Sequence, residues 1–455
     1  MEEEFFKESK LVDVISNLKP RISYGVNGNV NGLGYYDVYG SYGQKDANGS
    51  IITNYDGSVG FYNDKLVNGG LRWEQSKSFG LDIGFFNNRL SFILDYYNRT
   101  TSDLLTDLDL PNYTGFNSIK TNLGTLRNQG FEMEVKANIL NNVNGFSWDV
   151  SANLSTVANK IVKLPANGNE NNRQGGYQVY DPQKGEVVWV GGKQEGGKLG
   201  DLFAFKQDHI FKDWDDVKAN ANNRYDAIGE LYGPAAWEAL KDKAGKQPIE
   251  PGDVCWADLN NDGVINNLDR VKVGNLFPTV TGGFSTTLGY KDFSLYARFD
   301  YALGHTLYND LAARSLGQYQ GSFNIIDMVK DSWSETNQDT DIPKFYYADQ
   351  LSKKNITRSN NGLTAVDNNS SRFYEKGDYL ALREITLTWN LPKKWINKAL
   401  MSNASVYVTG QNLFYITGYT GVSPEPAVDT TYGQGLDNGR YPTPKTVLLG
   451  LSVTF

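Results

Sequence analysis

Long apolar runs are missing from this sequence. No stretch approaches the roughly 20 consecutive apolar residues that a membrane helix needs, so any passage through a bilayer must be made by strands. Cysteine is nearly missing as well. Cys255 stands alone, which excludes a disulfide framework and a cysteine zinc site. His209 and His305 are the only histidines, far apart in the chain, and no H-E-x-x-H or G-x-S-x-G constellation occurs. Positive charge is in deficit: the formal net charge is -8, which argues against a nucleic-acid partner. Met1 to Phe6 has no basic region, apolar stretch or small-residue cleavage site. A protein of the outer membrane would need a leader upstream, and on that reading this is the C-terminal part of a longer chain.

One segment imitates a phosphate loop. Gly192 to Lys198 follows the apolar run Val187 to Val190. A Walker A loop requires Ser or Thr after its lysine to hold magnesium, and here that residue is Leu199. A flexible surface loop is the better reading.

What is abundant is aromatic: 28 Tyr, 22 Phe and 9 Trp, in a chain whose mean hydropathy is only -0.48. Strands that alternate apolar and polar residues produce that combination. The last stretch shows it. Phe455, Val453, Leu451, Leu449 and Val447 fall on one strand face, and Thr454, Ser452, Gly450 and Thr446 on the other. The same period recurs in Phe79 to Phe85, Leu90 to Tyr96, Phe131 to Ile139, Phe146 to Leu154, Phe284 to Tyr290, Phe293 to Tyr301 and Ile385 to Leu391. Val406 and Val408 mark one more strand, and Arg21 to Asn29 another. Glu2 to Leu18 suggests a short amphipathic helix or turn before Pro20.

Alternation alone does not separate a soluble sandwich from a barrel in lipid. Connection length does. The turns at Asn87-Asn88, Asn141 to Gly145 and Lys291-Asp292 are short. The connections between hairpins are long, above all the insert at about 159–276. Short turns alternating with long loops are the pattern of periplasmic turns and extracellular loops. The expectation is therefore all-β: a transmembrane antiparallel β-barrel portion of about ten strands, with Leu81, Ile83, Phe131, Val135, Leu295, Leu449 and Leu451 toward lipid. Asp82, Glu132, Glu134, Arg298 and Ser452 would face the lumen. Within the insert, Trp214 to Asn223 and Pro234 to Ala244 have helical character, while Gly304 to Gly377 reads as an irregular polar loop.

The insert also carries a candidate metal site. Asp258, Asn260, Asp262, Gly263, Val264, Ile265, Asn266 and Asp269 fit the twelve-residue calcium loop of an EF-hand at positions 1, 3, 5, 6, 7, 8, 9 and 12. Asp258, Asn260, Asp262, Asn266 and Asp269 would offer side-chain oxygens and Val264 its carbonyl. Gly263 permits the sharp turn and Ile265 anchors the loop. Position 12 is Asp rather than Glu, no second loop pairs with it, and Val271 to Val273 suggests a strand where an EF-hand has a helix. The cofactor expected is a structural Ca2+; the alternative is an ion-free run of Asx turns. Tyr35, Tyr36, Tyr39, Trp189, Trp237 and Tyr319 could stack on sugar rings, or pack their own loops.

Several short motifs, in order, carry a resemblance to a known family. They are Leu71-Arg72-Trp73-Glu74, Asp95-Tyr96-Tyr97, Asp103-Leu104-Leu105, Asn128-Gln129-Gly130-Phe131-Glu132, Gln411-Asn412-Leu413-Phe414, Tyr441-Pro442-Thr443-Pro444 and the terminal Leu448 to Phe455. Together they resemble the SusC/RagA-type TonB-dependent transporters. That resemblance implies the cell outer membrane and import of a glycan, oligosaccharide or peptide. It implies outer-membrane lipid, a SusD-like surface lipoprotein and TonB as partners, the last through an N-terminal region that this chain lacks together with the plug. It does not imply an enzyme. The alternatives from other classes are a calcium-dependent extracellular glycan-binding β-sandwich and a secreted polysaccharide-degrading enzyme.

Overall fold

A computed structural model describes residues 15–25, 41–44, 58–65, 76–85, 89–109, 118–220, 250–263, 265–318, 326–345, 370–425, 435–439 and 441–455. In chain order the strands are β1 (Ile15–Gly25), β2 (Ser41–Gly43), β3 (Tyr62–Lys65), β4 (Ser76–Phe85), β5 (Leu90–Asp109), β6 (Ser118–Val143), β7 (Phe146–Thr156) and β8 (Ala158–Lys163). They continue as β9 (Tyr177–Asp181), β10 (Glu186–Val190), β11 (Asp201–Phe205), β12 (Gln207–Ile210), β13 (Val254–Trp256), β14 (Arg270–Asn275), β15 (Val280–Tyr290) and β16 (Phe293–Leu303). The last are β17 (Thr306–Asn309), β18 (Tyr374–Lys376), β19 (Tyr379–Asn390), β20 (Asn403–Thr417), β21 (Leu436–Asp437) and β22 (Thr446–Thr454). No helix among the described residues is long and apolar enough to cross a membrane. The chain is all-β and of the transmembrane β-barrel class.

Two compact units divide the chain. The first comprises Met1–Gly175, Gly192–Leu199 and Gly282–Lys291. Its sheet runs in the order β1-β4-β5-β6-β7-β15, with β8 also on β6. The pairings of β1 with β4, β4 with β5, β5 with β6, β6 with β7 and β6 with β8 are antiparallel. The register gathers apolar residues in rows: Leu94, Met133 and Leu154 lie side by side, as do Phe92, Val135 and Ala152. The intervening rows are polar, such as Asp95, Glu132 and Ser155. Directly opposed residues of an antiparallel pair share a face, so the alternation read in each strand becomes a two-faced sheet.

Three details differ from the sequence reading. Strand β1 begins at Ile15 and runs through Pro20, where a helix or turn was expected. Proline is admissible because β1 pairs with β4 alone among the described strands, so a missing N–H can face the unpaired edge. Strands β5 and β6 outrun the alternation read from Leu90 to Tyr96 and from Phe131 to Ile139: β5 extends to Asp109 and β6 starts at Ser118. Register shifts at Thr101/Leu104 and Leu104/Thr106 break the period there and hide the strands. The turn expected over Asn141 to Gly145 contracts to Asn144-Gly145, both at positive φ, the geometry a two-residue hairpin turn demands. The Asn87-Asn88 turn and Leu71 to Glu74 lie outside the described residues.

The second unit comprises Gly176–Gly191, Gly200–Thr281 and Asp292–Phe455. It holds the meander β16-β19-β20-β22 and several small sheets: β9 with β10, β11 with β14, β12 with β13, and β18-β17-β21. The segment Gly304 to Gly377 is thus not irregular throughout: it contributes β17, a short helix Asp310–Ala313 and β18. Strand β20 runs on through Gln411 to Phe414, past the Val406 and Val408 that mark it in the sequence. Asn412 at φ 51° and the register shift between Leu382 and Glu384 mark the bulge that obscured it. The helix expected at Trp214 is present as Trp214–Asn220; Pro234 to Ala244 lies outside the described residues.

Candidate functional site

Two features of the second unit could bear function, and they have opposite chemistry. The first is the face of the meander. Register aligns Phe293, Trp389, Val406 and Leu451 in one row, Leu295, Leu387, Val408 and Leu449 in the next, and Ala297, Ile385, Gly410 and Val447 in a third. Between them lie Ser294, Thr388, Tyr407 and Gly450, then Tyr296, Thr386, Thr409 and Leu448. Thr386 and Thr409 join across the polar row through their hydroxyls at 2.8 Å. The first two apolar rows stay open, with Leu387 46% exposed in an inner strand and Leu449 81%; in the third, Ala297 is buried and Val447 open. A contiguous open apolar face of this size is what a barrel presents to hydrocarbon. At the end with the short turns, Phe293 stacks on Trp389 at 6.0 Å and Trp395 meets Trp389 edge-on at 5.9 Å, as aromatics gather at a membrane interface.

On the same meander, the Arg383 guanidinium donates to Asp300, to Glu425, and to the Tyr415 hydroxyl at 3.1 Å. It fastens the loop that follows β20 to strands β16 and β19.

The second feature is the loop between β13 and β14. Trp256 ends β13, Arg270 begins β14, and the predicted metal residues occupy the span between. Asp258 is 9% exposed and Asp269 fully buried. Asp258 accepts the Gly263 N–H on Oδ2 at 2.9 Å, and Gly263 takes φ +80° as the sharp turn requires. The other oxygen of Asp258, Oδ1, is buried without a hydrogen-bond partner. Asp269 accepts from the Leu259 and Asn266 N–H groups, each at 2.8 Å. Asn266 caps the short turn Asn267–Asp269 by accepting the Leu268 N–H. Asn260 and Asp262 bond to each other, Nδ2 to Oδ2 at 2.7 Å. Burial pushes the Asp269 carboxyl up to about 6 against the pull of those two N–H groups, and the charges of Asp258 and Asp262 push the same way. Ile265 is 2% exposed, in a cluster with Phe205, Ile210, Val254, Trp256 and Trp333. Strand rather than helix follows, as expected. Val264 lies outside the described residues.

Sequence reasoning missed two groupings. Arg270 lies over Tyr177 at 4.3 Å and over Phe205 at 5.1 Å. Asp208, His209 and Cys255 hold ligand atoms within 4.8 Å of one another, the one such group of His, Cys or acid side chains among the described residues. Strand pairing builds it, since β12 sets His209 opposite Cys255; no local spacing could have announced it. His209 contacts Asp208 through Nδ1 and Asp216 through Nε2, so an ion there would have to displace one carboxylate from the ring. Of the candidate stacking aromatics, Trp189 alone is described; it lies in β10 opposite Gln178. The segment Gly192 to Lys198 leads into no helix, and it carries the carboxylate of Glu195, which accepts the N–H of the distant Leu164, the wrong charge for a phosphate cradle.

No family model matches the chain. Its sequence is 29% identical over 469 residues to TonB-dependent receptor P3 of Formosa agariphila, covering 100% of this chain and 40% of that protein. It is 27% identical over 465 residues to TonB-dependent receptor SusC of Bacteroides thetaiotaomicron, covering 100% and 39%. The chain thus spans about 40% of the length of the curated relatives it matches. Among solved structures, the RagAB peptide transporter is similar with a TM-score of 0.67 at 23% identity, over 99% of this chain and 42% of that one. The RagAB peptide importer in the open-open state gives 0.66. That likeness is one of fold.

Proposed function

Since this chain is homologous to the TonB-dependent receptors, SusC among them, we propose that it supplies part of the barrel of an importer of nutrients. The cargo would be a glycan, oligosaccharide or peptide, with a SusD-like lipoprotein over the mouth and TonB supplying the drive through a region that a longer parent protein would contribute. It is an outer-membrane protein. The observation that carries the reading is the set of open apolar rows on β16, β19, β20 and β22, separated by polar rows. Such a face suits hydrocarbon, and no helix among the described residues is long and apolar enough to cross a membrane, which leaves the strands to do so. The polar rows would then line the lumen, with Arg298 and Glu384 opposite each other there.

The test uses the full-length parent protein. Detergent extraction of outer membranes, affinity capture and mass spectrometry of the captured material should recover a surface lipoprotein in stoichiometric amount. Loss of the gene should abolish growth on one class of oligosaccharide or peptide and spare growth on monomers. Recovery of the parent from the culture supernatant, free of membrane, would end the proposal.

A further inference from the structure

We propose that the β13–β14 loop is a divalent-cation site of the calcium class, formed by Asp258, Asp262 and Asp269 with the side-chain oxygens of Asn260 and Asn266. The site is separate from the import reading and does not depend on it. Its strongest sign is the orphan oxygen. Asp258 is buried, one of its oxygens holds the Gly263 N–H, and the other has no partner. A buried carboxylate oxygen without a donor is a costly vacancy in a folded protein, and a bound cation is one of the few ways to fill it. Four further acceptor side chains, Asn260, Asp262, Asn266 and Asp269, stand on the same short loop. The two oxygens of Asp269 each accept one N–H and keep a lone pair for a metal.

The donor set selects the ion. All donors are oxygens, which favours a hard cation over zinc or copper. Their number and the loop's pliability suit calcium, with its six to eight ligands, better than magnesium, which demands a near-ideal octahedron and retains its waters. Asp258, Asp262 and Asp269 do not stand within 4.8 Å of one another. The ion would draw them in by replacing the Asn260–Asp262 hydrogen bond, which turns the Asn260 amide donor toward the acid. Its position defines its task. It joins the exit of β13 to the entry of β14, hence the β12–β13 pair to the β11–β14 pair, with Ile265 seated in the hydrophobic cluster between.

The experiment is calorimetric titration of calcium chloride into the detergent-purified full-length parent, stripped beforehand with chelator. Saturable binding is expected with a dissociation constant of about 10⁻⁴–10⁻³ M or tighter, the range of extracellular modules. Asp262 is exposed, so Asp262→Asn should fold, and it should weaken binding about tenfold or more by removing one charged ligand. Asp258→Asn should do the same. Asp339→Asn, at a side chain 99% exposed elsewhere in the unit, should change nothing. Calcium should also slow hydrogen exchange over 254–275 in the unsubstituted protein. No saturable heat at millimolar calcium would overturn the site. So would unaltered binding by Asp262→Asn, and equal affinity for magnesium would overturn the assignment to calcium.

Discussion

The meander β16-β19-β20-β22 and the small sheets of the insert belong to one compact unit, yet they sort residues in opposite ways. On the meander Leu387 and Leu449 are open, while polar side chains such as Thr386 and Thr409 bond to one another on the other face. In the insert Phe205, Ile210, Val254, Trp256 and Ile265 are buried together, and so are the charged groups Asp258, Asp269 and Arg270. The difference teaches that this unit is built for two solvents. The insert follows the rule for water, where apolar groups leave the surface and each buried charge must find partners. The meander follows the rule for hydrocarbon, where backbone groups pair among strands and side chains meet lipid.

The largest effect should come from the region with a water-type core. Trp256 is 5% exposed and edge-on to Phe205 at 6.3 Å. Trp256→Ala should destabilise the insert by about 3–5 kcal/mol, transfer term and cavity together. Hydrogen exchange should collapse in β12, β13 and β14 while the meander stays protected. Equal loss of protection in β19 and β20 would show that the two regions do not behave as distinct environments.

Next comes the face that meets lipid. Leu387→Arg should cost between about 2 and 4 kcal/mol at the bilayer midplane, and less toward an interface. The neighbouring Thr388→Arg places the same charge on the polar row and should cost much less. Urea unfolding of the parent in lipid vesicles measures both. If Thr388→Arg is the more damaging, lipid and lumen faces are exchanged.

How legible each region was follows from the same contrast. The meander is written in a two-residue period, so Phe293 to Tyr301 and Val447 to Phe455 could be assigned from local order alone. Along the strands the period is lost at bulges, where an extra residue shifts it: Thr101 to Thr106 in β5, outside the meander, and Gln411 to Phe414 in β20. In the insert, the loop from Asp258 to Asp269 was legible because its positions are spaced along a short span. The Arg270–Tyr177 stack and the meeting of His209 with Cys255 were not. Both depend on pairings between strands distant in sequence, and nothing local encodes the partner.

A smaller effect is expected where the meander itself departs from its rule. Arg383 is 16% exposed and donates to Asp300 and Glu425, themselves 38% and 35% exposed. Arg383→Met keeps much of the stem and leaves two carboxylates facing each other without their shared donor. Because both acids reach solvent, the loss should be about 1–3 kcal/mol rather than that of a sealed pair. The readout is protease sensitivity of the loop after β20, which should rise while the strands stay protected. An unchanged loop would mean that the guanidinium does not hold it.

The smallest effect tests whether the strand region depends on backbone geometry alone at its turns. Gly145 sits at φ +82° in the two-residue turn between β6 and β7 and accepts the Lys291 N–H at 2.9 Å on its carbonyl. A β-carbon there would meet only the Lys291 Cγ, at 3.5 Å, an ordinary contact. Sterics with neighbours therefore add nothing, and Gly145→Ala should lose about 1–2 kcal/mol through the left-handed backbone conformation. Gly145→Asn should recover most of that loss, since asparagine tolerates the same region, as Asn144 does at φ 53° beside it. Chemical unfolding of the three proteins orders them as Gly, then Asn, then Ala. If Asn is as damaging as Ala, the side chain rather than the backbone is at fault, and the turn is packed in the manner of the insert.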